Sequence, residues 1–125
     1  MFDFIQNLRK VLMSTSHMNN LDVNEVYAQV ESGELILIDV RNADEWQALG
    51  MPEFSSGVSL SDDAFKEKIC QCVNNNFSTS IAFICKSGQR SAKAVQLATR
   101  YGFTNVIQVI GGFEAWKKAS LPVRY

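Results

Sequence analysis

The sequence lacks an apolar run long enough to cross a bilayer. Its longest candidates, residues 35–38 and 81–85, fall far short of the roughly 20 residues a spanning helix needs. It also lacks a charge excess: 12 basic residues face 13 acidic ones, for a net charge of -1. That removes any global electrostatic reason to expect nucleic acid or an anionic membrane as partner. No secretory leader is expected, because Asp3, Gln6, Asn7, Arg9 and Lys10 interrupt the N-terminal apolar residues. A single His and one Cys-x-Cys pair are a poor ligand set for structural zinc, so no metal site is expected. Cysteine is scarce and odd in number: Cys70, Cys72 and Cys85. Reduced thiols in a reducing compartment follow, and a cytoplasmic protein is expected. Internal repeats and low-complexity segments are absent too.

What remains is an ordinary globular composition, 46% hydrophobic and 20% charged in 125 residues. This suits one domain with a core that needs no disulfide staples. Residues 1–19 form an N-terminal segment in which Phe4, Ile5, Leu8, Val11 and Leu12 recur at helical spacing. A short amphipathic helix packed on the domain is expected there. Arg9 and Lys10 alone are too few cations for a membrane-surface helix. Residues 20–125 form the domain.

Within it, apolar periodicity alternates with short apolar runs. Asp22 can cap a helix whose apolar side is Val23, Val26, Tyr27 and Val30, with Glu25 at capping-box spacing and Gly33 as the stop. Leu35 to Ile38, ending in Asp39, reads as a strand buried on both faces. Residues 42–49 read as a short helix, 50–57 as loop, and Val58 to Leu60 as a short strand. Ser61 or Asp62 is expected to cap a helix reaching about Val73. Ile81 to Ile84 is a second buried strand, followed by a helix from about Ser91 to Tyr101. Val106 to Ile110 is a further strand, and Gly111-Gly112 turns into a last helix with Phe113, Ala115 and Trp116. Such alternation implies an α/β fold with a mainly parallel sheet covered on both faces. Ligands in such folds bind beyond the carboxyl ends of the strands, where Asp39 with Arg41, Cys85, and Gly111-Gly112 converge.

The loop Cys85-Lys86-Ser87-Gly88-Gln89-Arg90-Ser91 is the candidate site. It joins a buried strand to a helix, so backbone N–H groups can turn inward as an anion nest. Gly88 permits a φ that other residues resist. The helix N-terminus, Lys86 and Arg90 add positive potential, and an exposed thiol of lowered pKa is expected at Cys85. Cys70 and Cys72 have neither a Gly turn nor clustered cations, and are expected to be structural or incidental.

This loop resembles the active-site loop of rhodanese-like domains, Cys-x-x-Gly-x-Arg-Ser/Thr. Asp39-Val40-Arg41 with Glu45-Trp46 is similar to the family's Asp-Val-Arg-x-x-x-Glu-aromatic motif. Val109-Ile110-Gly111-Gly112-Phe113, Trp116 and Leu121-Pro122-Val123 resemble its C-terminal pattern. The resemblance covers roughly residues 20–123. It implies a rhodanese-like three-layer α/β/α fold with a mainly parallel sheet of about five strands. It also implies a sulfurtransferase without metal or organic cofactor. Cys85 would be the nucleophile that accepts a sulfane sulfur. Lys86, Ser87, Gly88, Gln89, Arg90 and Ser91 would bind the anionic donor, such as thiosulfate, and Ser91 would also cap the following helix. A thiol or cyanide would be the acceptor, and a protein donor or acceptor stays open. Asp39 and Arg41 would brace the site, with an Arg41–Glu45 pair as the simplest role for that motif. Trp46 and Trp116 are expected as core anchors. One stretch departs from the family: residues 50–58 lack its Gly-His-Ile-x-Gly-Ala pattern, which puts the acceptor in question.

Two other readings remain. A persulfide relay or regulatory module between protein partners fits the fold, although regulatory members usually lack the cysteine. A dual-specificity-type phosphatase, or by extension an arsenate reductase, shares the fold, but its cradle has one more residue between Cys and Arg than the four seen here.

Overall fold

The computed structural model describes residues 19–125. The amphipathic helix expected over residues 2–12 lies outside them. The strands are β1 (Asn19–Leu21), β2 (Ile36–Asp39), β3 (Met51–Pro52), β4 (Ser56–Gly57), β5 (Ile81–Ile84), β6 (Val106–Val109) and β7 (Val123–Arg124). The helices are α1 (Val23–Glu31), α2 (Ala43–Leu49), α3 (Phe65–Cys72), α4 (Gln89–Tyr101) and α5 (Gly112–Lys118). Five strands form one sheet in the order β1-β6-β5-β2-β4, and every pairing in it is parallel. β3 and β7 make a separate antiparallel pair. No helix of the described residues is long and apolar enough to cross a membrane.

Side-chain alternation along β5 explains the two layers of core. Ile81, Phe83 and Cys85 face one side, where Phe65 and Ile69 of α3 and Ala94, Val95 and Ala98 of α4 pack on them. Ala82 and Ile84 face the other, against Val23, Val26 and Val30 of α1 and Phe113 and Trp116 of α5. Every β5 residue is buried, as the continuous apolar run requires. The fold is therefore the expected α/β/α sandwich around a five-stranded parallel sheet.

Local signals hold where one residue suffices. Asp22 accepts a hydrogen bond from the Glu25 N–H at 2.9 Å and caps α1. They fail where pairing decides. The strand expected at Val58 to Leu60 lies instead at Ser56–Gly57, in register with Ile38 and Asp39. Val58 and Leu60 still donate N–H bonds to Asp39 and Val40 carbonyls, at 3.0 and 3.1 Å, as the chain peels off the sheet. The stretch read as loop over 50–57 thus holds two short strands. Neither Ser61 nor Asp62 caps α3. The Asp62 carboxylate accepts from the Ala64 N–H at 2.8 Å and closes the turn before the helix, which starts at Phe65.

Candidate active site

β5 delivers Cys85 to the carboxyl end of the sheet, in phase with Phe83 and facing α4. The chain then folds back over the sulfur. The Gly88 N–H points at Cys85 Sγ from 3.1 Å and the Ser91 N–H from 3.3 Å. Ser91 Oγ stands 3.4 Å from the same sulfur. This return needs φ +146° at Gly88, a conformation that side chains resist. Gly88 is also the N-cap of α4, so a thirteen-residue helix directs its positive end at the sulfur. α4 begins at Gln89, two residues earlier than expected, and this corrects the assignment of Ser91 as its cap. Ser91 lies inside the first turn and is fully buried, with its hydroxyl donating to the Gly88 carbonyl at 3.0 Å.

Burial of Cys85 is a second correction. Cys85 is 1% exposed, where an exposed thiol was expected. Its β5 phase points it into the α3–α4 layer, and the loop covers what remains. Lys86, Ser87 and Gln89 are exposed around it, and Arg90 is partly buried.

The loop is braced from two sides by residues outside its own segment. Gln108 of β6 donates through Nε2 to the Gly88 carbonyl at 2.8 Å and to Ser91 Oγ at 3.2 Å. Sequence reasoning missed Gln108, although one polar residue inside the run Val-Ile-Gln-Val-Ile was the available signal. From the other side, Phe113 donates its N–H to the Cys85 carbonyl at 2.8 Å, and Glu114 donates to that of Lys86 at 3.3 Å. A Cβ on Gly112 would stand 2.5 Å from the Lys86 carbonyl oxygen, so the absence of a side chain there is a steric requirement of the loop.

The charged residues pair differently from the expected Arg41–Glu45 contact. Arg41 binds Asp39 through Nε and Nη2, with the shortest contact at 2.7 Å, and both side chains are almost fully buried. Its Nη2 also reaches the Gly50 carbonyl at 2.7 Å, and its guanidinium lies 4.0 Å from the Phe113 ring centre. Glu45 turns to the loop instead. Its two carboxylate oxygens accept from Arg90 Nη1 and Nη2 at 2.5 and 3.0 Å. That hydrogen-bonded pairing, helped by the Asn42 N–H, holds the Glu45 carboxyl at about 2, and it pushes Arg90 upward in turn. Residues two apart in an extended turn met face to face. Residues 45 apart in sequence met across the site.

Chemically, the arrangement is a thiol faced by two amides and a helix terminus, with cations at its rim. The family model for the rhodanese-like domain matches residues 22–119. The chain belongs to the rhodanese-like family. Among curated relatives, this rhodanese-like chain is similar to the thiosulfate sulfurtransferase GlpE of Vibrio cholerae, at 29% identity over 107 residues, 86% of this chain and 95% of the relative. It is also similar to an uncharacterized protein of Rickettsia conorii, at 29% identity over 109 residues, 77% of this chain and 88% of the relative. Among solved structures, a rhodanese-related protein of Thermoplasma volcanium has a TM-score of 0.70 at 26% identity, over 84% of this chain and 96% of that one. The polysulfide-sulfur transferase homodimer of Wolinella succinogenes shares the fold, with a TM-score of 0.71 at 24% identity, over 98% of this chain and 88% of that one.

The two motif tryptophans, both expected in the core, differ: Trp116 lies in it, whereas Trp46 is only partly buried. Trp116 is fully buried, donates Nε1–H to the Pro122 carbonyl at 2.9 Å, and meets the Tyr27 ring edge-on at 5.8 Å. Trp46 lies across Gly57 of β4. Cys70 and Cys72 are free and stand on α3, away from the loop residues that face Cys85. Burial pushes the Cys72 thiol upward, opposite to what a nucleophile needs.

Proposed function

We propose that this protein is a sulfurtransferase that moves a sulfane sulfur to a thiophilic acceptor, carrying it as a persulfide on Cys85. The donor is of the thiosulfate or persulfide class. The observation that carries this reading is the pair of N–H groups, from Gly88 and Ser91, aimed at Cys85 Sγ. Donors so placed stabilise negative charge on the attacking sulfur and again on the persulfide it becomes. Gly88 and Ser91 hold the sulfur, while Lys86, Ser87, Gln89 and Arg90 line the approach.

In the first half-reaction the Cys85 thiolate attacks the outer sulfur of thiosulfate. The donor S–S bond breaks, sulfite leaves with the electron pair, and Cys85–S–S⁻ remains. In the second half, cyanide or a thiolate attacks the outer sulfur, and the electron pair of the broken bond returns to Cys85 Sγ. The cycle balances without a metal or an organic cofactor. When the sulfur is charged, the Ser91 hydroxyl can turn its proton toward it, because Gln108 keeps the Gly88 carbonyl satisfied. We take residues 20–125 as the catalytic unit, working in a reducing cytoplasm that keeps all three cysteines free.

Mass spectrometry after thiosulfate treatment tests this. One added sulfur is expected on the peptide containing Cys85, and Cys85→Ser should abolish both the addition and turnover to cyanide while the fold persists. Sulfur found only on Cys70 or Cys72, or normal turnover by Cys85→Ser, would overturn the assignment.

A further inference from the structure

The loop carries two cations, Lys86 and Arg90, and of the two only Arg90 is paired with a carboxylate among the described residues. Arg90 gives both terminal nitrogens to Glu45. Glu45 is held in that pose from behind, since its Oε1 also accepts the Asn42 N–H at 3.0 Å and closes the capping box of α2. The other nearby pair, Asp39 with Arg41, is buried and internally neutral. Glu114, exposed in the first turn of α5, adds a further acid beside Lys86, to whose carbonyl its N–H donates. The mouth above Cys85 therefore carries far less positive charge than the loop sequence suggests.

We infer that Glu45 is a specificity-determining residue, which tunes the site toward singly charged sulfane-sulfur donors and against the thiosulfate dianion. The inference rests on the sulfurtransferase reading above. A second charge on the donor gains little from a neutralised Arg90 and is repelled by the carboxylate behind it. The same holds for what leaves. Thiosulfate releases a sulfite dianion at the mouth, whereas a persulfide anion, R–S–S⁻, leaves Cys85–S–S⁻ and a thiolate, R–S⁻, as the Cys85 thiolate takes its outer sulfur and the donor S–S bond breaks. At partly exposed sites, one extra charge against one carboxylate is worth about fivefold in rate or affinity, and salt reduces it.

Methanethiosulfonate isolates the charge. It presents the same terminal sulfur as thiosulfate with one negative charge fewer. Cys85 takes that sulfur, the S–S bond breaks, and methanesulfinate leaves with the electron pair. The experiment measures kcat/KM for both donors, with cyanide as acceptor, in the wild type, in Glu45→Gln, and in Glu34→Gln at the opposite end of the sheet. Gln at 45 keeps an oxygen for the Asn42 N–H. The expected result is a fall of about fivefold in the methanethiosulfonate-to-thiosulfate ratio for Glu45→Gln, caused by a rise with thiosulfate and reduced by added salt. Glu34→Gln should keep the wild-type ratio. A ratio for Glu45→Gln within twofold of the wild type overturns the inference, as does an equal loss with both donors, which marks a purely structural residue. If Glu45→Gln proves unstable, Arg90→Gln decides, because it leaves Glu45 uncompensated. Thiosulfate use must then fall about fivefold further than methanethiosulfonate use, and equal falls count against the inference. Failure of wild-type protein to load sulfur from either donor would sink the sulfurtransferase reading itself.

Discussion

Arg41 and Arg90 are each bound to a carboxylate, and they work under opposite conditions. Arg41 and Asp39 sit in the core with almost no solvent contact, sealed under Phe113 and the Gly50 carbonyl. Arg90 and Glu45 sit at the rim, their side chains 32% and 23% exposed. The buried pair is held at both ends by the fold and has no freedom to meet a ligand, so it serves the frame. The rim pair is wet and reachable, and its Arg90 is on the same loop as Cys85, which is where the proposed selection would act. Identical chemistry is assigned to architecture or to function by burial alone.

The contrast can be broken most decisively at Arg41. Arg41→Leu leaves Asp39 charged and unpaired in the core, and a loss of about 3–5 kcal/mol is expected from urea unfolding. Adding Asp39→Asn should recover part of it, since the stranded charge is then gone. A loss under about 1 kcal/mol would place Arg41 with Arg90 and erase the distinction.

Gln108 lies between the two extremes, half-buried and tied to the reactive loop. Gln108→Leu removes two hydrogen bonds and should cost about 1–2 kcal/mol. Sulfur loading of Cys85 should slow by about tenfold, chiefly in kcat, because the Gly88 N–H loses its aim. Equal stability loss with unaltered kcat would make Gln108 a member of the frame.

The rim pair should show the smallest effect, and it should show it in acid. Glu45 is held at about 2, below its ordinary 4.5. A depressed carboxyl contributes stability that is complete above its unfolded value and is lost as pH falls through the folded one. Wild-type stability should therefore decline between about pH 5 and pH 2 more than that of Glu45→Gln, by about 1 kcal/mol or less, given the exposure. Thermal melts across that range would measure it. Parallel curves for the two proteins would mean that the pair contributes nothing to folding.

These assignments also mark what the residues told in advance. The order of β2, β5, β6 and the five helices, the Asp22 cap and the seven-residue signature from Cys85 to Ser91 are short-range patterns, and the chain obeys them, whereas β1, β3 and β7 were not read in advance. The partner of Glu45 was misread because helical spacing points to Arg41, whereas Arg41 sits before α2 and is already committed to Asp39. Ser91 was misread as a cap because the true cap, Gly88, depends on how the loop bends around the sulfur. β4 was displaced by two residues because a two-residue parallel strand is set by its register on β2 and by no pattern of its own. Gln108 was invisible as a brace because its targets belong to a different crossover. In each case the missing information was tertiary.

Gly112 has a consequence for the order in which the protein becomes competent. Its missing side chain lets α5 dock its first amides onto the carbonyls of Cys85 and Lys86. The reactive turn is thus clasped by residues made some 27 positions later in synthesis. A nascent chain that stops short of Gly112 has the sulfur and lacks the clasp. The loop around Cys85 is therefore fully braced only once the final helix has docked.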